Sequence, residues 1–170
     1  MGLFTSEKFE SIEDLLVHQL KDLYDAKHRV VDKYPEMAKE AECDKLKEAF
    51  DKHLAQSRKH IATLEEVFSK LGFEPERVTC DAMQGLISET DSALALGGDC
   101  CVKDAAIIAA AQRIEHYEIA GYGCTRTFAR KAGHPGVAEM LQSILDDDYT
   151  ADERLTEVAV DHVNVAAATA

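Results

Sequence analysis

Four stretches of the chain carry acidic, amide or imidazole side chains at positions a helix would turn inward. Glu115 and Glu118 continue the series Ile108, Ala111 and end before Tyr122, a 3-4-3-4 spacing that sets both carboxylates on one stripe. Asp148 and Asp152 stand between Leu145 and Leu155 in the same way. His53 and His60 share a seam with Phe50, Ser57 and Leu64, and Gln56 lies close to that face. Gln19 falls three residues after Leu16 and four before Leu23. Carboxylates facing one another in a dry core repel, so something positive must offset them. Divalent or trivalent metal ions do this with carboxylate oxygens and imidazole nitrogens as ligands. The other solutions are an internal cation, for which Lys59, Arg113 and Arg126 are the candidates, or an exposed acidic face on the last helix.

The elements that would hold these residues read as helices throughout. A first helix starts at the N-cap Ser11 and runs to about residue 41, with an apolar stripe of Ile12, Leu16, Leu20, Leu23, Val30 and Tyr34. Pro35 lies inside it and is expected to kink or divide it. A second helix runs from about Lys45, capped by Asp44, to Leu71, where Gly72 ends it. The connection from Phe73 to Asp104 holds Pro75, a shorter helix over about residues 82–96, and Gly97-Gly98. A third long helix covers about residues 102–131 and a fourth about 135–163, separated by Gly133-His134-Pro135. The tail, 164–170, is expected to fray.

Two short loops make each helical pair antiparallel, and the long connection allows the second and third long helices to run parallel. The expected fold is all-α: a ferritin-like four-helix bundle with one long crossover that carries a short extra helix. All four helices would bring a polar residue near mid-length to the inner seam, at one level of the bundle.

Composition narrows the function classes. The chain has 170 residues and a net charge of −13, which suits one acidic domain and argues against binding nucleic acid. The longest apolar run, residues 105–111, is too short to span a bilayer. The N-terminus has no apolar stretch of signal-peptide length, and the myristoylation-like spacing of Gly2 and Ser6 is weak. Five cysteines without a CxxC pair fit reduced thiols in a cytoplasmic protein.

The segments VHQLKDLYDA (17–26), CDAMQGLISE (80–89), DAAIIAAAQRIEHYEIAGYG (104–123) and DDDYTADERLTEVA (146–159) resemble the YciE/YciF family of bacterial stress proteins. The block with Gln112, Glu115, His116, Tyr117, Glu118 and Tyr122 is the most specific. The resemblance implies a ferritin-like fold with similarity to rubrerythrins and other di-metal carboxylate proteins, and a homodimer. It also implies a carboxylate where this chain has Gln19, and another where it has Gln56. Uncharged amides are weaker ligands than carboxylates.

The ligand set expected on this basis is Glu115, Glu118, Asp148, Asp152, His53, Gln56, His60 and Gln19, holding iron or manganese as two ions, one, or none. In the last case Gln19 and Gln56 would hydrogen-bond Glu115 or Asp148 instead. Tyr122 is expected to be a core tyrosine with a satisfied hydroxyl. The expected function is a stress-response protein acting on peroxide or oxygen; the alternative is a metal-free structural or interaction bundle. Without a cysteine-rich electron-donor domain, disproportionation of peroxide or slow metal oxidation fits better than reductant-driven peroxidase action. Cage-type iron storage has no supporting surface feature, and no motif identifies an organic substrate.

Overall fold

The computed structural model describes residues 8–170, so Gly2 and Ser6 lie outside the described residues. Among those residues the regular structure is helical: α1 (Ile12–Glu40), α2 (Asp44–Leu71), α3 (Asp81–Leu94), α4 (Cys100–Lys131) and α5 (Pro135–Val158). A π-helical turn (Ala159–Val163) and a last turn (Asn164–Ala167) continue α5. No helix is long and apolar enough to cross a membrane among the described residues.

Two of the long helices, α1 and α4, begin where a polar side chain takes up free N–H donors. Ser11 caps α1 in a reciprocal box with Asp14. Asp99 caps α4 through the N–H groups of Cys101 and Val102. The residue before α2 is Cys43 rather than Asp44, and it gives no side-chain cap. Asp104 of α4 supplies the acceptor instead, taking the N–H groups of Glu42 and Cys43 at 3.0 and 2.7 Å. The turn between α1 and α2 is thereby tied to the start of α4. Gly72 ends α2 with φ +80°, a left-handed conformation that glycine adopts without strain.

Pro35 does not divide α1. It is solvent-exposed, while Tyr34 and Met37 on either side are fully buried. Tertiary packing on the inner face holds the helix through the one missing N–H.

The four long helices form a ring in which α1 packs on α2 and α4, and α5 packs on α2 and α4. Neighbours are antiparallel: Tyr24 meets Phe68 while Tyr34 meets Phe50, and Lys27 pairs with Glu118 while Lys103 pairs with Glu40. The diagonal helices α2 and α4 therefore run parallel, and the segment 72–99 returns the chain along the bundle, with α3 against α4 and α1. Two apolar clusters fill the interior. One, around Leu20, Leu64, Phe68 and Leu141, lies toward the α4–α5 turn. The other, around Met37, Phe50, Ile107 and Val158, lies toward the α1–α2 turn. The polar centre sits between them. At Gly121 a methyl group would stand 2.6 Å from Leu23 Cδ2, so the glycine lets α4 approach α1 beside that centre.

Asp25 fixes the crossover to α1. Its carboxylate takes Arg29 Nε at 2.6 Å, Arg77 Nε at 2.9 Å and the Cys80 N–H at 3.0 Å. Burial pushes this carboxyl up, but the Cys80 N–H, Arg29 and Arg77 together hold it below its ordinary value of 3.8. Its stabilising contribution is therefore present above that value and lost as pH falls through the lower folded one. Asp25→Asn is expected to cost about 1–2 kcal/mol at pH 7, because both arginines stay partly solvated. The difference from the parent should close at acid pH. Urea denaturation of both chains between pH 3 and 7 checks this.

Candidate metal centre

α4 supplies Glu115 and Glu118, one turn apart, and α5 supplies Asp148; none of the three is exposed to solvent. α2 supplies His53, and α1 supplies Lys27 and Tyr34, also buried. One donor atom from each of His53, Glu115, Glu118 and Asp148 lies within 4.8 Å of the others. Lys27 Nζ stands 2.9 Å from Glu118 Oε1 and 3.3 Å from Asp148 Oδ1. Its nitrogen is 5.5 Å from the centre of the Tyr122 ring, within cation–π range. His53 Nε2 is 3.3 Å from Glu115 Oε1, and the Tyr34 hydroxyl donates to that same oxygen.

Burial drives the electrostatics here. It would push the Lys27 ammonium down, but Asp148 and Glu118 reverse this and hold it charged. Burial pushes Glu115 well up, and the charges of Glu118 and Asp148 add to it. Glu118 is raised by burial against the opposing pull of Lys27. Asp148 is pushed up to about 7 by burial, again with Lys27 opposing. His53 is held well below its ordinary value by burial and by the Lys27 charge, so its imidazole is neutral, the form that ligates metal.

Several buried polar atoms in this centre have no hydrogen-bond partner: Glu115 Oε2, Glu118 Oε2, Asp148 Oδ2, His53 Nδ1 and the Tyr122 hydroxyl. Native interiors seldom leave such groups unpaired. Unpaired carboxylate oxygens beside a neutral imidazole fit a divalent transition-metal ion. The 4.8 Å within which one donor atom of each residue lies is slightly wider than the roughly 4.2 Å between opposite ligands of such an ion, twice a bond of about 2.1 Å. Charge sets the number of ions. Ligation requires all three carboxylates to be ionised; together with one ammonium they then leave two negative charges, which one divalent ion neutralises. Two such ions beside Lys27 would leave excess positive charge in a dry interior. The residues fit one ion and do not fit two.

The eight residues singled out in the sequence separate into three groups. Glu115, Glu118, Asp148 and His53 converge. Three stand at the margin: His60 Nε2 is 3.0 Å from Asp147 Oδ2, with Nδ1 3.8 Å from Asp148, and Gln56 Nε2 donates to Asp147 Oδ1 at 3.2 Å. Asp152, half-buried, accepts from Gln112 at 3.2 Å and faces His116. Gln19 is half-buried and donates to neither Glu115 nor Asp148; nor does Gln56, whose amide goes to Asp147. The Tyr122 hydroxyl is unpartnered rather than satisfied.

The cation expected from Lys59, Arg113 or Arg126 is instead Lys27. Lys59 and Arg113 are exposed, and Arg126 reaches Gln142. Lys27 is four residues after Leu23 and three before Val30, so it fills the seven-residue gap in the α1 stripe. That gap was the signal for it.

Comparison with known proteins follows the fold closely. The model of a family described as a domain of unknown function, DUF892, matches residues 11–168. Protein YciF of Escherichia coli (strain K12) is 35% identical over 156 residues, covering 91% of this chain and 94% of that protein. The crystal structure of the E. coli stress protein YciF superposes with a TM-score of 0.88 at 34% identity, over 92% of this chain and 99% of that one. A structure from Rhodopseudomonas palustris, described as YcfI, a putative structural protein, gives 0.87 at 39% identity, over 92% and 100%.

Lys27→Met removes the one cation of the centre and leaves its carboxylates uncompensated. The expected cost is about 3–5 kcal/mol in chelator-treated protein at neutral pH. Adding Asp148→Asn to Lys27→Met should return part of that loss, whereas Asp148→Asn alone should not stabilise by the same amount. Urea melts of the four chains form the cycle that checks it.

Proposed function

The chain belongs to the DUF892 family, and on that footing we propose that it is a stress-response protein of ferritin-like build that holds a single iron or manganese ion between its helices. His53, Glu115, Glu118 and Asp148 would be the ligands. Lys27 would take the place of a second ion by supplying a fixed positive charge. The observation that carries this reading is the buried ammonium among three carboxylates, which once ionised leave two negative charges for an ion to offset.

A bound ion of this kind supplies one-electron redox chemistry toward peroxide or oxygen. The protein's own part is placement and proton control. Tyr34 holds its hydroxyl proton at Glu115 Oε1 and fixes that carboxylate's rotamer. Lys27 holds Glu118 and Asp148 from the opposite side. His60, anchored by Asp147, closes the α2–α5 edge. The two apolar clusters above and below exclude water. We place the protein in the cytoplasm, where its five free cysteines would stay reduced, as a homodimer.

One observation favours a metal-free second reading: Lys27 already pairs with two of the three carboxylates, and Tyr34 with the third. Elemental analysis of protein grown with added iron and manganese decides between them. The proposed reading expects close to one equivalent per chain, lost in Glu115→Gln with Glu118→Gln, and a rise toward two in Lys27→Glu. An equivalent near zero that no variant changes supports the metal-free bundle. Two equivalents in the parent chain contradict the role given to Lys27.

A further inference from the structure

At the start of α4, Cys100 and Cys101 follow the cap residue Asp99. Adjacent side chains on a helix point about 100° apart, yet the two sulfurs converge to 4.0 Å. A carboxylate oxygen of Asp99 joins them, so that one donor atom from each of the three residues lies within 4.8 Å of the others. Asp99 Oδ1 takes the N–H groups of Cys101 and Val102 at 2.8 and 3.2 Å, which fixes the carboxylate beside the thiols and leaves Oδ2 to another partner. Lys103, the cation nearest in sequence, turns instead to Glu40 at 2.8 Å. No ion pair engages Asp99 among the described residues. Asp99 and Cys100 are exposed and Cys101 is half-buried, so a solute reaches all three.

Two fates are open to adjacent thiols: a disulfide or a shared ligand. Consecutive Cα atoms stand about 3.8 Å apart, short of the roughly 4.4–6.8 Å usual across a disulfide, so a bridge here would strain the backbone. The sulfur spacing suits a shared ion. Bonds of about 2.3 Å at a tetrahedral angle place two thiolates roughly 3.8 Å apart. Ligation requires both thiols to ionise, and the amino end of a 32-residue helix favours the negative charge that results. Two sulfurs and one oxygen make a soft donor set, unlike the oxygen and nitrogen donors between the helices. We propose that Asp99, Cys100 and Cys101 form a surface site for a soft divalent ion of the zinc and cadmium class. Three protein ligands leave the fourth tetrahedral position to water or to a thiol of another molecule, so the ion at this site exchanges with solution and does not hold the fold together. The site is separate from the centre between the helices and does not rest on the function proposed for it.

Cadmium is the probe, titrated without oxygen into the full chain after reduction and chelator treatment, with reductant and chelator then removed. The ultraviolet charge-transfer band from thiolate to cadmium reports sulfur ligation and does not see the core group, which contains no cysteine. The expected result is a band that saturates, and does so equally in Glu115→Gln with Glu118→Gln. Cys100→Ser and Cys101→Ser should each weaken binding by at least about tenfold, and the two together should abolish the band. Asp99→Asn keeps a capping side chain on α4 but loses the charged ligand, and should also weaken binding by at least about tenfold. Cys124→Ser, at an exposed cysteine elsewhere on α4, should leave the band unchanged. Thermal melts verify the fold of each variant. No saturable band in the folded parent, a band that survives Cys100→Ser with Cys101→Ser, parent-like affinity in Asp99→Asn, or loss of the band with Glu115→Gln and Glu118→Gln overturns the proposal. The two metal readings fail separately: a band in a chain that takes up no iron or manganese removes only the core ion, and a core ion without the band removes only the surface site.

Discussion

The ammonium of Lys27 is the interaction on which the interior depends. α1 brings Lys27, α4 brings Glu115 and Glu118, and α5 brings Asp148 to one level of the bundle, so three of these four ionisable groups are acids. Unpaired, they would have to take up protons or pull the helices apart. Lys27 lets Glu118 and Asp148 face each other across the α4–α5 seam, and its charge adds to burial in keeping His53 neutral. The same ammonium limits how much further positive charge the centre can accept, so one residue governs both the stability of the fold and the chemistry open to it.

Geometry of this kind needs helices that do not slide. The Asp104 carboxylate ties the α1–α2 turn to α4 below the centre. The Asp25 carboxylate ties α1 to the crossover above it, two residues before Lys27. Gly121 permits the close approach of α4 to α1 one turn from Glu118. Apolar clusters on both sides then make the centre a dry layer in which charges act strongly.

Periodicity made most of the helices and the convergence of Glu115, Glu118, Asp148 and His53 legible in the sequence. It reports which face a residue occupies but not its depth, which is why His60 and Asp152 share a seam with the cluster yet turn to its margin. Asp147 belongs to the acidic face expected on the last helix rather than to the ligand set; it is adjacent to Asp148 and points about 100° around the helix, toward α2, where it captures His60 and Gln56. Gln19 lies eight residues before Lys27, about two turns from the level of the acids. Lys27 itself was hidden by its type. A lysine on an apolar stripe ordinarily extends its head to water, and only the acids on two other helices hold this one inside. Pro35 erred in the other direction, since local propensity favoured a break that packing around Tyr34 and Met37 overrides.

The central claim is that Lys27 stands in for one metal ion and leaves room for one. A crystal structure of manganese- or iron-loaded protein, with anomalous scattering recorded above and below the metal's absorption edge, tests it most directly. The account predicts one anomalous peak per chain, bounded by His53, Glu115, Glu118 and Asp148, with the Lys27 ammonium still against the carboxylates. Two peaks, a peak reached only by expulsion of Lys27, or a loaded crystal with no peak at this level would contradict it.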